Sequence, residues 1–185
     1  MKYTQRPGAE RSALAARRAA DAGDVAHLLD LLATGDRIGR VAAASRLGEL
    51  GGAEVVKPLT TCLRSNDFLL RTAAVEALGR IGGPDADERI VELGLDDPSL
   101  NVRLAAAAVL ARRNRRDVAI RVLVGVVASR SLRPRVAQRA ALKALLQLNA
   151  TEAAPLLEEI GRRSGPLTRF KIWRVRRHLA ARPPA

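Results

Sequence analysis

The chain repeats itself, and that repetition narrows its possible folds more than any other property. Residues 36–52 and 67–83 align without a gap at an offset of 31 residues, with Asp, Arg, two Ala, Leu, Gly and a closing Gly-Gly recurring in place. A third copy covers residues 97–110, and a weaker fourth runs from Pro134 to Asn149. The register is set by Arg40, Arg71, Arg103 and Gln138, spaced by 31, 32 and 35 residues. Seven positions after each lies Leu47, Leu78, Leu110 or Leu145, and eleven after each lies Gly51, Gly82, Asn114 or Asn149. Leu in mid-element followed one turn later by Gly or Asn reads as a helix closed by a left-handed cap.

A second amphipathic stretch precedes each of these helices, at residues 25–33, 53–64, 85–95 and 117–128. Apolar residues there recur at intervals of three and four, as in Val25, Leu28, Leu29 and Leu32. Asp24, Asp67 and Asp97-Pro98 supply helix-start signals. Each unit is therefore a helix pair. The expected architecture is one all-α domain over 1–185, a right-handed α-solenoid of four to five pairs. It has a leading helix at 10–22, repeats at about 24–52, 53–83, 84–114 and 115–149, and a C-terminal capping pair at 150–182. Composition agrees. Of 185 residues, 48% are hydrophobic but only 2% aromatic, so Ala, Leu and Val form the interior, which suits close helix packing and not a β-sandwich.

These residues resemble HEAT repeats, most closely the short bacterial variety called phycobilisome-lyase-like HEAT repeats. The likeness is carried by residues 97–107, Asp-Pro-Ser-Leu-Asn-Val-Arg-Leu-Ala-Ala-Ala, and by the closing Ala-Leu-Gly-Arg-Ile-Gly of residues 77–82. It covers about residues 24–149; the fourth repeat departs from it by carrying Gln138 for Arg and lacking Asp-Pro. The resemblance implies that Arg40, Arg71 and Arg103 are structural, stacking between repeats and pairing with Asp36, Asp67 and Asp97 of their own preceding turns. It also implies that the second helices line a concave face. By helical geometry that face would present Val41, Thr72, Leu104 and Arg139, then Ala44, Val75, Ala107 and Leu142, then Ser45, Glu76, Ala108 and Lys143. Such repeats occur in lyase subunits, chaperones, DNA glycosylases and plain adaptors, so the likeness speaks to fold far more than to activity.

Charge is divided unevenly. Residues 1–100 hold 13 cations and 15 anions; residues 101–185 hold 19 cations and 4 anions, in a chain of net charge +13. An asymmetry of this size points to an anionic partner. Arg codon bias is the plain alternative, but it would not spare the first hundred residues. Three clusters carry the excess. Arg112 and Arg113 open the run at 112–116; Arg130, Arg133 and Arg135 open the fourth second helix, where Arg135, Arg139 and Lys143 also fall at i, i+4 and i+8 as one stripe; and the last helix carries Arg169, Arg174 and Arg177 around Phe170 and Trp173. Ile172, Val175 and Leu179 project to one face of that helix and the aromatics to the other. Phe170 and Trp173 either stack on a base, anchor a partner protein or cover the open end of the solenoid.

Catalysis finds little support. His27 reads as a partly buried histidine on an apolar stripe, and His178 sits where neighbouring positive charge disfavours protonation. Cys62 lies among Leu59 and Leu63 as a small core residue, and a lone cysteine excludes an intramolecular disulfide. Asp85, Asp87 and Glu88 are explained by a helix start. No phosphate loop, dinucleotide fingerprint or zinc spacing occurs. A HEAT-like DNA glycosylase would need a carboxylate beside aromatics to hold an extruded base, and the aromatic helix has no acid near it in sequence. The N-terminus lacks a secretory signal and no segment has 18 uninterrupted apolar residues, so a cytoplasmic protein without membrane attachment is expected. The reading is a non-enzymatic scaffold, without cofactor or metal, whose basic C-terminal half binds an acidic protein. Nucleic acid is the rival partner, and a lyase-subunit-like or chaperone role is a second alternative.

Overall fold

The computed structural model describes residues 7–113, 115–128, 134–148, 150, 153–163 and 165–180, the side chains at 7, 9, 134–137, 167, 168, 171 and 178–180 excepted. Among these residues every regular element is helical: α1 (Pro7–Asp21), α2 (Val25–Thr34), α3 (Arg37–Leu50), α4 (Val56–Cys62), α5 (Phe68–Ile81), α6 (Pro84–Arg89), α7 (Leu100–Arg112), α8 (Arg116–Ala128), α9 (Pro134–Gln147), α10 (Ala154–Arg162) and α11 (Pro166–Ala180). A 3-10 turn, Ala53–Val55, leads into α4, and α6 runs on into a π turn, Ile90–Gly94.

Local chemistry sets the ends. Asp24 and Asp36 accept from the N–H groups of His27 and Gly39, satisfying donors that a helix start leaves open. Gly51 and Gly82 close α3 and α5 at φ 77° and 74°, and their N–H groups return to the carbonyls of Leu47 and Leu78. Asn114 and Asn149, expected to act alike, lie outside the described residues. The helix α7 starts at Leu100, beyond the Asp97-Pro98 signal, because the Asp97 carboxylate accepts from the Ser99 N–H at 2.7 Å.

The chain divides into two compact units, Met1–Ala106 and Ala107–Ala185, the division falling inside α7. In the first, α3 packs against α1, α2 and α5. The approach of α3 to α5 is close: a Cβ on Gly48 would stand 2.5 Å from the Ala77 Cα, so only glycine fits. Leu28, Leu47, Leu59, Leu70 and Leu78 are fully buried there. In the second unit α8 packs on α9, α10 on α11, and α9 and α8 meet α11 and α10 in turn. Its interior includes Leu110, Leu123, Leu145 and Leu157. All four repeat-register leucines are thus buried, each worth about 1.5–3 kcal/mol in transfer free energy. Each unit is a stack of helix hairpins of the all-α solenoid type.

Two expectations are corrected. Arg71 does not bond the acid of its own turn; its pairing runs forward, while Arg40 bonds a carbonyl and the buried Arg103 Nε has no hydrogen-bond partner among the described residues. Arg71 donates through Nε and Nη2 to both carboxylate oxygens of Asp97 in the next repeat, at 2.7 and 3.0 Å. Arg37, and not Arg40, makes the matching fork to Asp67 at 2.6 and 3.0 Å. Stacked hairpins bring the next repeat's cap within reach of a long guanidinium. Three of the four register residues donate to a carbonyl in the last turn of their own first helix or just beyond it. Arg40 bonds the Leu32 carbonyl at 3.0 Å, Arg71 that of Ser65 at 2.7 Å, and Gln138 that of Val127 at 2.9 Å. The second correction concerns the concave face: Ala44, Val75, Ala107 and Leu142 are buried, not groove-lining, because the position four after the register residue turns into the packed interior. Val41, Thr72, Leu104, Ser45, Glu76, Ala108, Arg139 and Lys143 do retain exposure.

Candidate functional site

The helix α11 carries two unlike faces. Pro166 opens it, its missing N–H costing nothing in the first turn. Ile172 and Val175 are buried, with Ile172 Cγ2 lying 3.7 Å from where a Cβ on Gly161 of α10 would stand. The other face leaves Phe170 and Trp173 exposed at 55% and 50%. Their rings stack at 5.9 Å between centroids with planes 22° apart, and the Arg177 guanidinium sits 5.5 Å over the indole. Both distances fall in the attractive range for such contacts. Pro166, Arg169, Phe170 and Trp173 line a shallow depression. At half exposure the aromatic pair is a presented surface.

The basic residues fall into three groups. Arg112, Arg139, Lys143, Arg169 and Arg177 are exposed, and none has an acid within ion-pair distance among the described residues. Arg174 is exposed and engaged in a further contact, and Arg113 is half-buried and engaged within the fold. The Arg135 side chain lies outside the described residues, so the stripe is seen only as Arg139 and Lys143, one turn apart on α9. The helices α9 and α11 pack together, which puts the stripe and the aromatic face in one unit. Arg176, by contrast, is committed: it donates to Glu158 at 2.7 Å. Hydrogen bonding from Arg162 and the charge of Arg176 hold the Glu158 carboxyl below its usual range.

The catalytic candidates are placed as follows. His27 is exposed, correcting the expectation of partial burial: Leu28 and Leu32 take the inward stripe of α2, and His27 falls beside it. Cys62 is buried, and burial raises its thiol above the ordinary range against a smaller opposing effect of Arg40. The side chain of His178 lies outside the described residues. Asp85 and Asp87 occupy the first turn of α6, where a helix favours acids. Among the described residues no group of three or more His, Cys, Asp or Glu could hold a metal ion, and no helix is long and apolar enough to cross a membrane. Sequence reading missed Asp97 as the partner of Arg71, and no spacing in the sequence favours it over Asp67.

Comparison with known proteins gives the following. A family model of HEAT repeats matches residues 25–111. Solved structures similar to this chain include the complex of CpcE and CpcF of phycocyanin lyase from Nostoc sp. PCC7120, at 20% identity and TM-score 0.41 over 92% of this chain and 88% of that one. No curated protein matches the sequence. With repeating helix hairpins and register leucines in the core, the segment 25–111 is similar to HEAT repeats, the family whose model it matches.

Proposed function

We propose that the chain is a non-enzymatic protein-interaction scaffold whose C-terminal unit, 107–185, receives an acidic protein partner. The observation that carries this is where charge remains unanswered. The unit holds 18 cations and 4 anions, against 14 and 15 in the first unit. Three of the four acids already bond neighbouring arginines: Asp117 with Arg121, Glu158 with Arg162 and Arg176, and Glu159 with Arg163. The exposed cations left over are distributed on rigid helices, and such a field steers and orients an anionic partner. The likeness to HEAT repeats supports a protein partner, since stacked hairpins display side chains at fixed spacings along an extended surface.

The test sets poly-L-glutamate against duplex DNA and RNA across a salt series, with wild type and an Arg112→Ala/Arg139→Ala/Lys143→Ala variant. Polyglutamate should bind, weaken with salt, and weaken further in the variant. Nucleic acids should bind weakly and without sequence preference near physiological salt. Tight DNA or RNA binding whose log–log salt slope falls by about 0.9 per lost contact in the variant would replace this reading with the nucleic-acid one.

A further inference from the structure

The exposed face of α11 differs chemically from the rest of the basic surface. Pro166, Phe170, Trp173 and Arg177 recur at intervals of four, three and four, so they form one stripe along the helix. Large apolar side chains half in water are costly to leave uncovered, and aromatic and Arg side chains concentrate the binding free energy at protein interfaces. The depression bounded by Pro166, Phe170 and Trp173 has Arg169 on its edge. Its floor is apolar and its flanks are cationic.

We infer that this stripe is a docking site for a short acidic segment of a partner protein, one that seats a large apolar side chain in the depression with a carboxylate beside it on Arg169. The inference rests on the acidic-partner reading above and adds the point of anchorage. Charge complementarity selects the occupant. Arg169, Arg174 and Arg177 repel a cationic segment and favour carboxylates flanking the anchor, while the planar guanidinium of Arg169 suits a two-point carboxylate contact. A nucleobase fits the geometry less well. Phe170 and Trp173 already stack on each other, which leaves no slot between them, and Arg177 occupies a face of the indole. Single-strand platforms instead offer free aromatic faces to successive bases.

Trp173 is the chain's only tryptophan, so its emission reports occupancy of this site alone. The experiment titrates the full chain with an acetylated Gly-Glu-Glu-Leu-Phe-Glu-Glu-Gly peptide, following Trp173 emission and acrylamide quenching, with fluorescence anisotropy of a labelled copy in parallel. Three controls accompany it: the peptide with Ala-Ala at its centre, the peptide with Lys for Glu, and oligodeoxythymidylate. Binding should shift Trp173 emission to the blue and reduce quenching, and Phe170→Ala or Arg169→Ala should weaken it at least tenfold. Both positions are exposed, so these variants should fold, and an unchanged circular-dichroism spectrum checks that they do. The Lys peptide should not bind. If the Glu and Ala-Ala peptides bind equally with no change at Trp173, the acidic-partner reading stands and this site is overturned. If neither acidic peptide binds, both are overturned. Protection of Trp173 by oligodeoxythymidylate and not by the Glu peptide would assign the stripe to single-stranded nucleic acid instead.

Discussion

The two units use arginine in opposite ways. In the first, cations are matched by acids and spent on architecture: Arg37 with Asp67, Arg71 with Asp97, Arg46 with Glu49, Arg89 with Glu92. In the second, the register position has become Gln138, which keeps the bond to the preceding helix but carries no charge. The fourth repeat accordingly opens at Pro134 without an acid, and Arg112, Arg139, Lys143, Arg169 and Arg177 of its unit are exposed. The same hairpin can therefore be held by an ion-pair ladder or by a neutral amide. Beside the neutral amide, Arg139 and Lys143 of the same helix have no acid within ion-pair distance among the described residues. The break in charge coincides with the end of the segment that matches HEAT repeats, at residue 111.

The comparison is broken most directly at the ladder. Asp97 is 3% exposed and Arg71 11%, so Arg71→Ala would strand a buried carboxylate. The expected loss is about 3–5 kcal/mol in urea unfolding, whereas Gln138→Ala should cost only about 1 kcal/mol, the worth of one neutral hydrogen bond. Equal losses would show that the two positions do the same work. The register leucines should respond alike in both units. Leu78→Ala and Leu145→Ala each remove a fully buried side chain and should cost about 3 kcal/mol by the same measurement. A loss under about 1 kcal/mol at Leu145 would mean that the second unit is loosely packed.

A smaller effect is expected at the cap of α5. Gly82 has φ 74°, a conformation that strains residues with a Cβ, so Gly82→Ala should lower stability by about 1 kcal/mol in a thermal melt. An unchanged melt would remove the left-handed cap from the repeat's design. The smallest effect concerns pH. The hydrogen bonds from Arg37 to Asp67 hold that carboxyl below its ordinary range. A carboxyl depressed on folding stabilises the protein above its unfolded pKa, about 3.9, and that stability is lost as pH falls through the lower folded value. Because the Arg37 side chain is 61% exposed, solvent screening keeps the contribution small. Arg37→Gln should therefore flatten the acid limb of the stability curve slightly while leaving neutral-pH stability nearly unchanged. A steepened acid limb would contradict the pairing.

Much of this protein is determined by its sequence alone. The 31-residue recurrence, the leucines seven positions past the register residue and the glycines at the helix ends are local signals, and helix geometry converts them into faces and stops without reference to distant residues. The same periodicity placed Ile172 and Val175 opposite Phe170 and Trp173 on α11, and both faces are found as the spacing requires. Tertiary structure alone decided which charges are spent. Whether Arg71 pairs with Asp67 or Asp97, whether Ala44 and Val75 line a groove or a core, and whether Arg177 lies over Trp173 all depend on how one hairpin leans on another. An ion pair between residues 26 positions apart leaves no periodic trace, because a guanidinium's partner is set by distance in space and a repeat offers it an acid on either side.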